Sequence, residues 1–151
     1  MVNLVHERGV SWLLWCGLNE EAEALAAAIP GAVNVQGSDS YAEKRGAVES
    51  FISGQTRVLI SKVRILGYGL NFQHCHHMAF VGIGDSFESY YQAIRRCWRY
   101  GQQHPVQAHV VVSEAERVIV ANVRHKEARH SELASNLLAH MRDFEREELC
   151  A

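Results

Sequence analysis

Long hydrophobic runs are missing from this chain. No apolar stretch approaches the roughly 20 residues needed to cross a bilayer, and the N-terminus has no signal-peptide pattern. Both absences point to a cytoplasmic protein with no membrane partner. Cysteine is sparse: Cys16, Cys75, Cys97 and Cys150 form no close pairs, which argues against a disulfide framework or a zinc site and suits reduced thiols. No repeat, low-complexity tract or linker divides the 151 residues, so one sizeable core is expected. A phosphate-cradling loop of the form Gly-x-x-x-x-Gly-Lys-Ser/Thr is absent, as is an Asp-Glu-x-x pair for magnesium.

What is present is an uneven charge distribution behind a net charge of −2. Between Lys44 and Pro105, eight Lys/Arg face only Glu49, Asp85 and Glu88; elsewhere acids outnumber bases. A basic middle permits phosphate binding, because local patches matter more than the total.

Strand and helix patterns alternate. Trp12 to Cys16 is a short continuous apolar run, as in buried parallel strands. Asn19 then caps a helix with Glu20 and Glu21 in its first turn and a stripe of Ala22, Leu25, Ala26 and Ile29, ended by Pro30. Ala32 to Gln36 is a second strand. Ser40-x-x-Glu43 forms a capping box for a helix that buries Val48, Phe51 and Ile52 and stops at Gly54. Arg57 to Ser61, Met78 to Gly82 and Val106 to Val112 supply three more strands. Between the last two, Asp85-x-x-Glu88 opens a helix that Gly101 terminates. From about Glu114 onward the chain reads as helix, broken at most once, with a packing stripe of Ala134, Leu137, Leu138 and Met141 and Phe144 close to it. This alternation predicts an α/β sandwich with a mostly parallel sheet.

On the helix before Gly101, Gln92, Arg96 and Arg99 fall at i, i+4 and i+7 and so share a face. Arginine offers a permanently charged fork of donors that matches phosphate oxygens. A solvated basic face would give the same pattern, and the spacing alone does not choose between them. Trp98 and Tyr100 flank the arginines, where packing is the expected role and base stacking the rival. His74-Cys75-His76-His77 is too compact to converge on one ion, and no second cluster completes a site, so no metal is expected.

The order of three stretches resembles the second RecA-like domain of superfamily 2 helicases and translocases, nearest the Swi/Snf-like branch and the helicase-like proteins of phages. The resemblance covers roughly residues 10 to 113. It rests on Val35-Gln36-Gly37-Ser38, on Leu59-Ile60-Ser61 through Gly67-Tyr68-Gly69-Leu70-Asn71-Phe72-Gln73, and on Gln92-x-x-x-Arg96-x-x-Arg99-x-Gly101-Gln102. The latter two correspond to motifs V and VI of that family. The resemblance implies a three-layer RecA-like domain over residues 1–113, of the P-loop NTPase type, with a helical extension over 114–151.

It also implies roles. Arg99 would be an arginine finger, with Arg96 beside it toward the γ-phosphate and Gln92 positioning water or phosphate. Gly67 and Gly69 would let the backbone approach nucleotide closely, and Asn71 would bind nucleotide or couple it to nucleic acid. Arg95 stands where many family members carry glycine, as a third phosphate contact or a surface residue. Ser61 sits where the family sets a small hydroxyl against the nucleic-acid backbone, although a solvent-facing serine at a strand end would look the same. Gln36, Gly37, Lys62 and Arg64 would be backbone contacts, or simply solvated loop residues.

By the same resemblance the substrate is ATP with Mg²⁺, held mainly by an N-terminal Walker A/B domain that this sequence lacks. This chain would therefore not hydrolyse ATP alone. The expected partners are that domain and DNA, with double-stranded DNA favoured by the Swi/Snf-like similarity and RNA as the alternative. The rival reading is a non-catalytic, truncated helicase-like module that binds DNA or a protein.

Overall fold

Strand β1 (Trp12–Cys16) is buried along its whole length and is the centre of the sheet. The structure, a computed structural model, describes residues 1–7, 9–67, 69–82, 86–111, 114 and 117–149. Ahead of β1 lies a short helix α1 (Val2–Glu7). After it come α2 (Asn19–Ala28), β2 (Ala32–Val35), α3 (Tyr41–Ile52), β3 (Val58–Ser61) and α4 (Val63–Leu66). The remaining elements are β4 (His77–Val81), α5 (Phe87–Ile94), β5 (Gln107–Val111) and α6 (Arg117–Leu149). All four strand pairings are parallel, in the order β2-β3-β1-β4-β5.

That order fixes which face each helix covers. Parallel crossovers are right-handed, so the step from β1 out to β2 puts its helix on one face, and the later steps in the opposite direction put theirs on the other. The core divides accordingly. Trp12, Leu14 and Cys16 pack with Val5, Ala22, Leu25 and Ile29 of α1, α2 and its end. Leu13 and Trp15 face Val48, Phe51, Leu66, Phe72, Ala93 and Cys97 on the α3–α5 side. The three-layer α/β arrangement expected from the sequence is the one observed.

Several local expectations need correction. Residue Leu18, not Asn19, is the N-cap of α2. The carboxylate of Glu21 takes the amides of Gly17 and Leu18 at 2.9 and 2.8 Å, doing the work assigned to an asparagine cap. The Ser40 capping box stands as read, with reciprocal bonds between Ser40 and Glu43. Helix α5 is shorter than its sequence pattern: it ends at Ile94 with Arg95 as C-cap, and residues 95–101 form turns. Past Ile94 the amides of Arg96 and Cys97 turn to carbonyls three residues back, and the Arg96 carbonyl accepts from a competing donor, the amide of Phe72 at 2.8 Å, and leaves the helical ladder. Gln92, Arg96 and Arg99 therefore do not share one helical face.

Ser86 caps α5 through the Ser89 amide; the predicted Asp85 cap and the end of the fifth strand at Val112 lie outside the described residues. Helix α6 is continuous rather than broken, and its first half meets α5, with His130 against Phe87 and Tyr91. The side chains of Ala134, Leu137, Leu138, Met141 and Phe144, which were to form its stripe, are outside the described set. Among the described residues no helix is long and apolar enough to cross a membrane.

Candidate functional site

The predicted site residues occupy two opposite edges of the sheet. At the carboxyl ends of β1, β3 and β4 lies a cleft of about 220 Å³ lined by Cys16, Gly17, Lys62, Arg64, Gly82 and Ser86, among others. The connection from β1 runs toward β2 and that from β4 toward β5, in opposite directions. Open α/β sheets form their ligand crevices at such divergence points. Lys62 is half-buried there and Arg64 exposed. Gln36 and Gly37 follow β2 at the same edge; the Gln36 amide donates to Asp39 Oδ2 at 2.7 Å, and Lys44 Nζ donates to the Gly37 carbonyl at 2.8 Å.

Ser61 belongs to this edge but not to its surface. It is 1% exposed, and its hydroxyl donates to the Val35 carbonyl at 2.9 Å. It ties the ends of β2 and β3 together beneath Lys62. Burial, with Glu21 adding and Lys62 opposing, pushes the Cys16 thiol up to about 12, so it stays neutral.

From Lys62 the chain descends the α3–α5 face to the start of β4, joining the two edges. Gly67 and Gly69 lie on this path for different reasons. A Cβ on Gly67 would collide with the Val63 carbonyl and with Val63 Cγ1 at 2.6 Å, so what it permits is close approach of the chain to itself. Gly69 has φ 75° and is exposed with open space around it, which leaves its backbone accessible to a ligand. Asn71 is exposed, and its Oδ1 accepts the Gln73 amide at 3.1 Å, fixing the turn into β4.

The arginines gather at the opposite, amino edge, where α5 returns to meet β5. The five residues of β4 separate the edges by on the order of 15 Å. Arg96 is half-buried: Nε donates to the Gln92 carbonyl at 3.1 Å, Nη2 to Gln92 Oε1 at 3.4 Å and Nη1 to the Leu70 carbonyl at 3.0 Å. Arg95 is exposed, donates to the Tyr91 hydroxyl at 3.3 Å, and lies 5.8 Å from the ring centroids of both Tyr91 and Trp98. Arg99 is exposed, and among the described residues its guanidinium makes no hydrogen bond or ion pair. The structure thus brings Gln92 and Arg96 together and leaves Arg99 reaching outward.

Packing does not hold the neighbouring aromatics as expected. Tyr100 is 103% and Trp98 54% exposed, on turns beyond the end of the helix. The four-residue His/Cys cluster does not converge on one point: His74 meets Phe51 edge-on, the Cys75 thiol lies within hydrogen-bonding reach of the His77 and Ser11 carbonyls, and the adjacent His76 and His77 rings turn to His104 and Trp12. Sequence reasoning gave no role to Gln102, which spans three segments here, or to Glu21 as the clasp of β1. An amide directly after a conformationally free glycine was the available signal for the first.

Residues 3–101 match the helicase conserved C-terminal domain family. The chain belongs to that family. It is 30% identical over 118 residues to human ATP-dependent DNA helicase Q4, a match covering 66% of the chain and spanning about a tenth (10%) of the length of that protein. In fold it is similar to the C-terminal part of the Fun30 ATPase domain, with a TM-score of 0.70 at 14% identity over 79% of this chain and 41% of that one. The C-terminal domain of the DEAD-box protein Dbp5 gives a TM-score of 0.69 at 15% identity, covering 83% of this chain and 74% of that one. A Saccharomyces cerevisiae Dbp5 C-terminal domain bound to Gle1 and IP6 gives 0.70 at 14% identity, covering 84% and 75%. These likenesses extend to the five-stranded parallel sheet that places both edges described above.

Proposed function

We propose that this helicase C-terminal domain is half of an ATP-dependent DNA motor, presenting Arg99 to a phosphate carried by a separate domain with a Walker A loop. The observation that supports this most is the contrast within one turn of chain: Arg95 and Arg96 are engaged, whereas Arg99 is exposed with its fork unspent. An arginine supplied from across an interface neutralises charge developing on a transferred phosphoryl group and is typically worth ~10³–10⁵ in rate. Gln92 and Arg96 stand behind it and hold the turn, with Arg95 as an outlying cation. Gly69 and Asn71 offer backbone and amide groups to the nucleotide side, and Gly67 keeps the path between the edges tight.

At the carboxyl edge, Lys62, Arg64, Gln36 and Gly37 form a groove for a nucleic-acid backbone, with Ser61 as the support beneath it. DNA is favoured because the relative at 30% identity is named a DNA helicase, and duplex translocation is favoured by the motif similarity to the Swi/Snf-like branch. The groups at the arginine edge are cationic or amide donors, which suit phosphate oxygens and not a divalent ion. Among the described residues no group of His, Cys, Asp and Glu side chains could hold a metal ion, and no step is assigned to magnesium on this chain. ATP bound by the other domain would draw the two together, and its hydrolysis would release them.

The test is ATP hydrolysis with and without DNA, by the chain alone and by a protein joining it to a Walker A-bearing domain. The chain alone should be inactive, the joined protein DNA-stimulated, and its Arg99→Ala variant slower by about 10³-fold or more. Turnover that survives Arg99→Ala would sink the finger assignment. Salt-sensitive DNA binding with no turnover in any pairing would favour a non-catalytic module instead.

A further inference from the structure

Motif V begins at the proposed nucleic-acid edge and ends at the arginine edge, so whatever fastens its lower end governs communication between them. Gln102 occupies that position. It follows Gly101, whose φ of 93° turns the chain back toward Gln73. Its Nε2 donates to the carbonyls of Gln73 at 2.8 Å, Cys75 at 3.2 Å and Cys97 at 3.2 Å. Its Oε1 accepts the His104 amide at 3.0 Å. The three carbonyls belong to the end of motif V, the lead into β4 and the arginine turn. A side-chain amide carries two N–H donors, and here the two are shared among three main-chain carbonyls, so Gln102 has none left for a ligand.

We propose that Gln102 is a positioning residue that couples the nucleic-acid edge to Arg99 by holding motif V and the arginine turn in one register. This rests on the motor reading above. Two other bonds join the same pieces, from the Phe72 amide to the Arg96 carbonyl at 2.8 Å and from Arg96 Nη1 to the Leu70 carbonyl at 3.0 Å. Those reach the upper half of the seam. Gln102 closes the lower half and adds the entry to β4, so a shift of Lys62 or Arg64 on binding a phosphate backbone is carried to the Arg99 turn instead of being absorbed by a loose loop. Coupling needs an element whose arrangement both sites bias, and the proposal gives that part to this seam.

The substitution that isolates the effect is Gln102→Glu, which keeps the size and the acceptor for His104 and removes the donors. In the chain alone, amide hydrogen exchange at Phe72 and Cys75 should quicken by about fivefold or more, with Leu13 and Leu14 in β1 unchanged. In the protein joined to a Walker A domain, DNA stimulation of kcat should fall by about fivefold or more, with the DNA-free rate and the KM for ATP unchanged. Gln102→Lys, whose ammonium can donate to the same carbonyls, should recover part of the stimulation. Unchanged exchange, undiminished stimulation, or an equal fall in the DNA-free rate each overturns the coupling role. Absence of any DNA-stimulated hydrolysis in the unsubstituted joined protein overturns the motor reading instead, and the exchange measurement then still decides whether Gln102 holds the seam.

Discussion

Arg96 donates from Nη1 to the carbonyl of Leu70 at 3.0 Å, across 26 positions of sequence. This bond gives the two motif VI arginines opposite mutational signatures. Arg96→Ala removes a half-buried, charge-assisted donor and should cost about 1.5–3 kcal/mol. Arg99→Ala removes a surface group with no partner among the described residues and should stay within about 0.5 kcal/mol of the parent. Urea denaturation of the two variants checks the split; equal destabilisation would show that Arg96 does not hold the seam.

Gly67→Ala should destabilise by roughly 1–3 kcal/mol, since its Cβ meets the Val63 carbonyl and neither backbone segment can retreat. Gly37→Ala, with nothing within 4 Å of the added carbon, should be within about 0.5 kcal/mol of the parent. Denaturation midpoints compare them directly. A neutral Gly67→Ala would mean that α4 can move away from motif V.

The Cys16 thiol, raised from 9.0 to about 12 chiefly by burial, gives an alkaline dependence with a definite sign. The folded chain holds this proton more tightly than the unfolded one, so the contribution is complete below pH 9 and is lost as pH rises toward 12. Unfolding free energies measured across that window should decline, and less steeply in Cys16→Ala. Parallel curves for the two proteins would remove Cys16 from the account.

Acid acts through histidine. Burial lowers His74, partly opposed by a hydrogen bond with the Phe51 backbone, and burial with the neighbouring His104 lowers His76. The unfolded chain, with ordinary values near 6.5, takes these protons first, so stability is complete above about pH 6.5 and falls below it. Melting temperatures at pH 7.5 and 5 should differ less in His76→Gln than in the parent. An unchanged difference would exclude the His76–His104 pair as a contributor.

The sheet was legible because its strands are short apolar runs, and Trp12–Cys16 came out with its observed ends. The Ser40–Glu43 box was legible because both partners are local in sequence. The end of α5 was not. Residues 95–99 keep a helical side-chain pattern, while the Phe72 amide and the Gln102 side chain, neither visible in that pattern, take the Arg96 and Cys97 carbonyls. The burial of Ser61 was not legible for a related reason: a hydroxyl at a strand end reads as a surface group until the neighbouring strand offers it the Val35 carbonyl. In the site, the residue types and their order were readable, while the engagement of Arg96, as against Arg99, depended on Leu70 and Phe72, 26 and 24 positions away.

The sheet order carries a consequence for how the chain acquires its structure. β1 precedes every other strand, yet both of its neighbours, β3 and β4, come later, and β4 ends at Val81. On the ribosome, Trp12 to Cys16 must therefore wait, hydrophobic and unpaired, until β3 has emerged through Ser61, and it keeps one open edge until β4 is complete at Val81. Non-local parallel pairing of this kind is slow and aggregation-exposed. Folding yield should accordingly be limited by the protection of this one segment, and should respond to chaperone supply or slower synthesis more than to any change at the arginine edge.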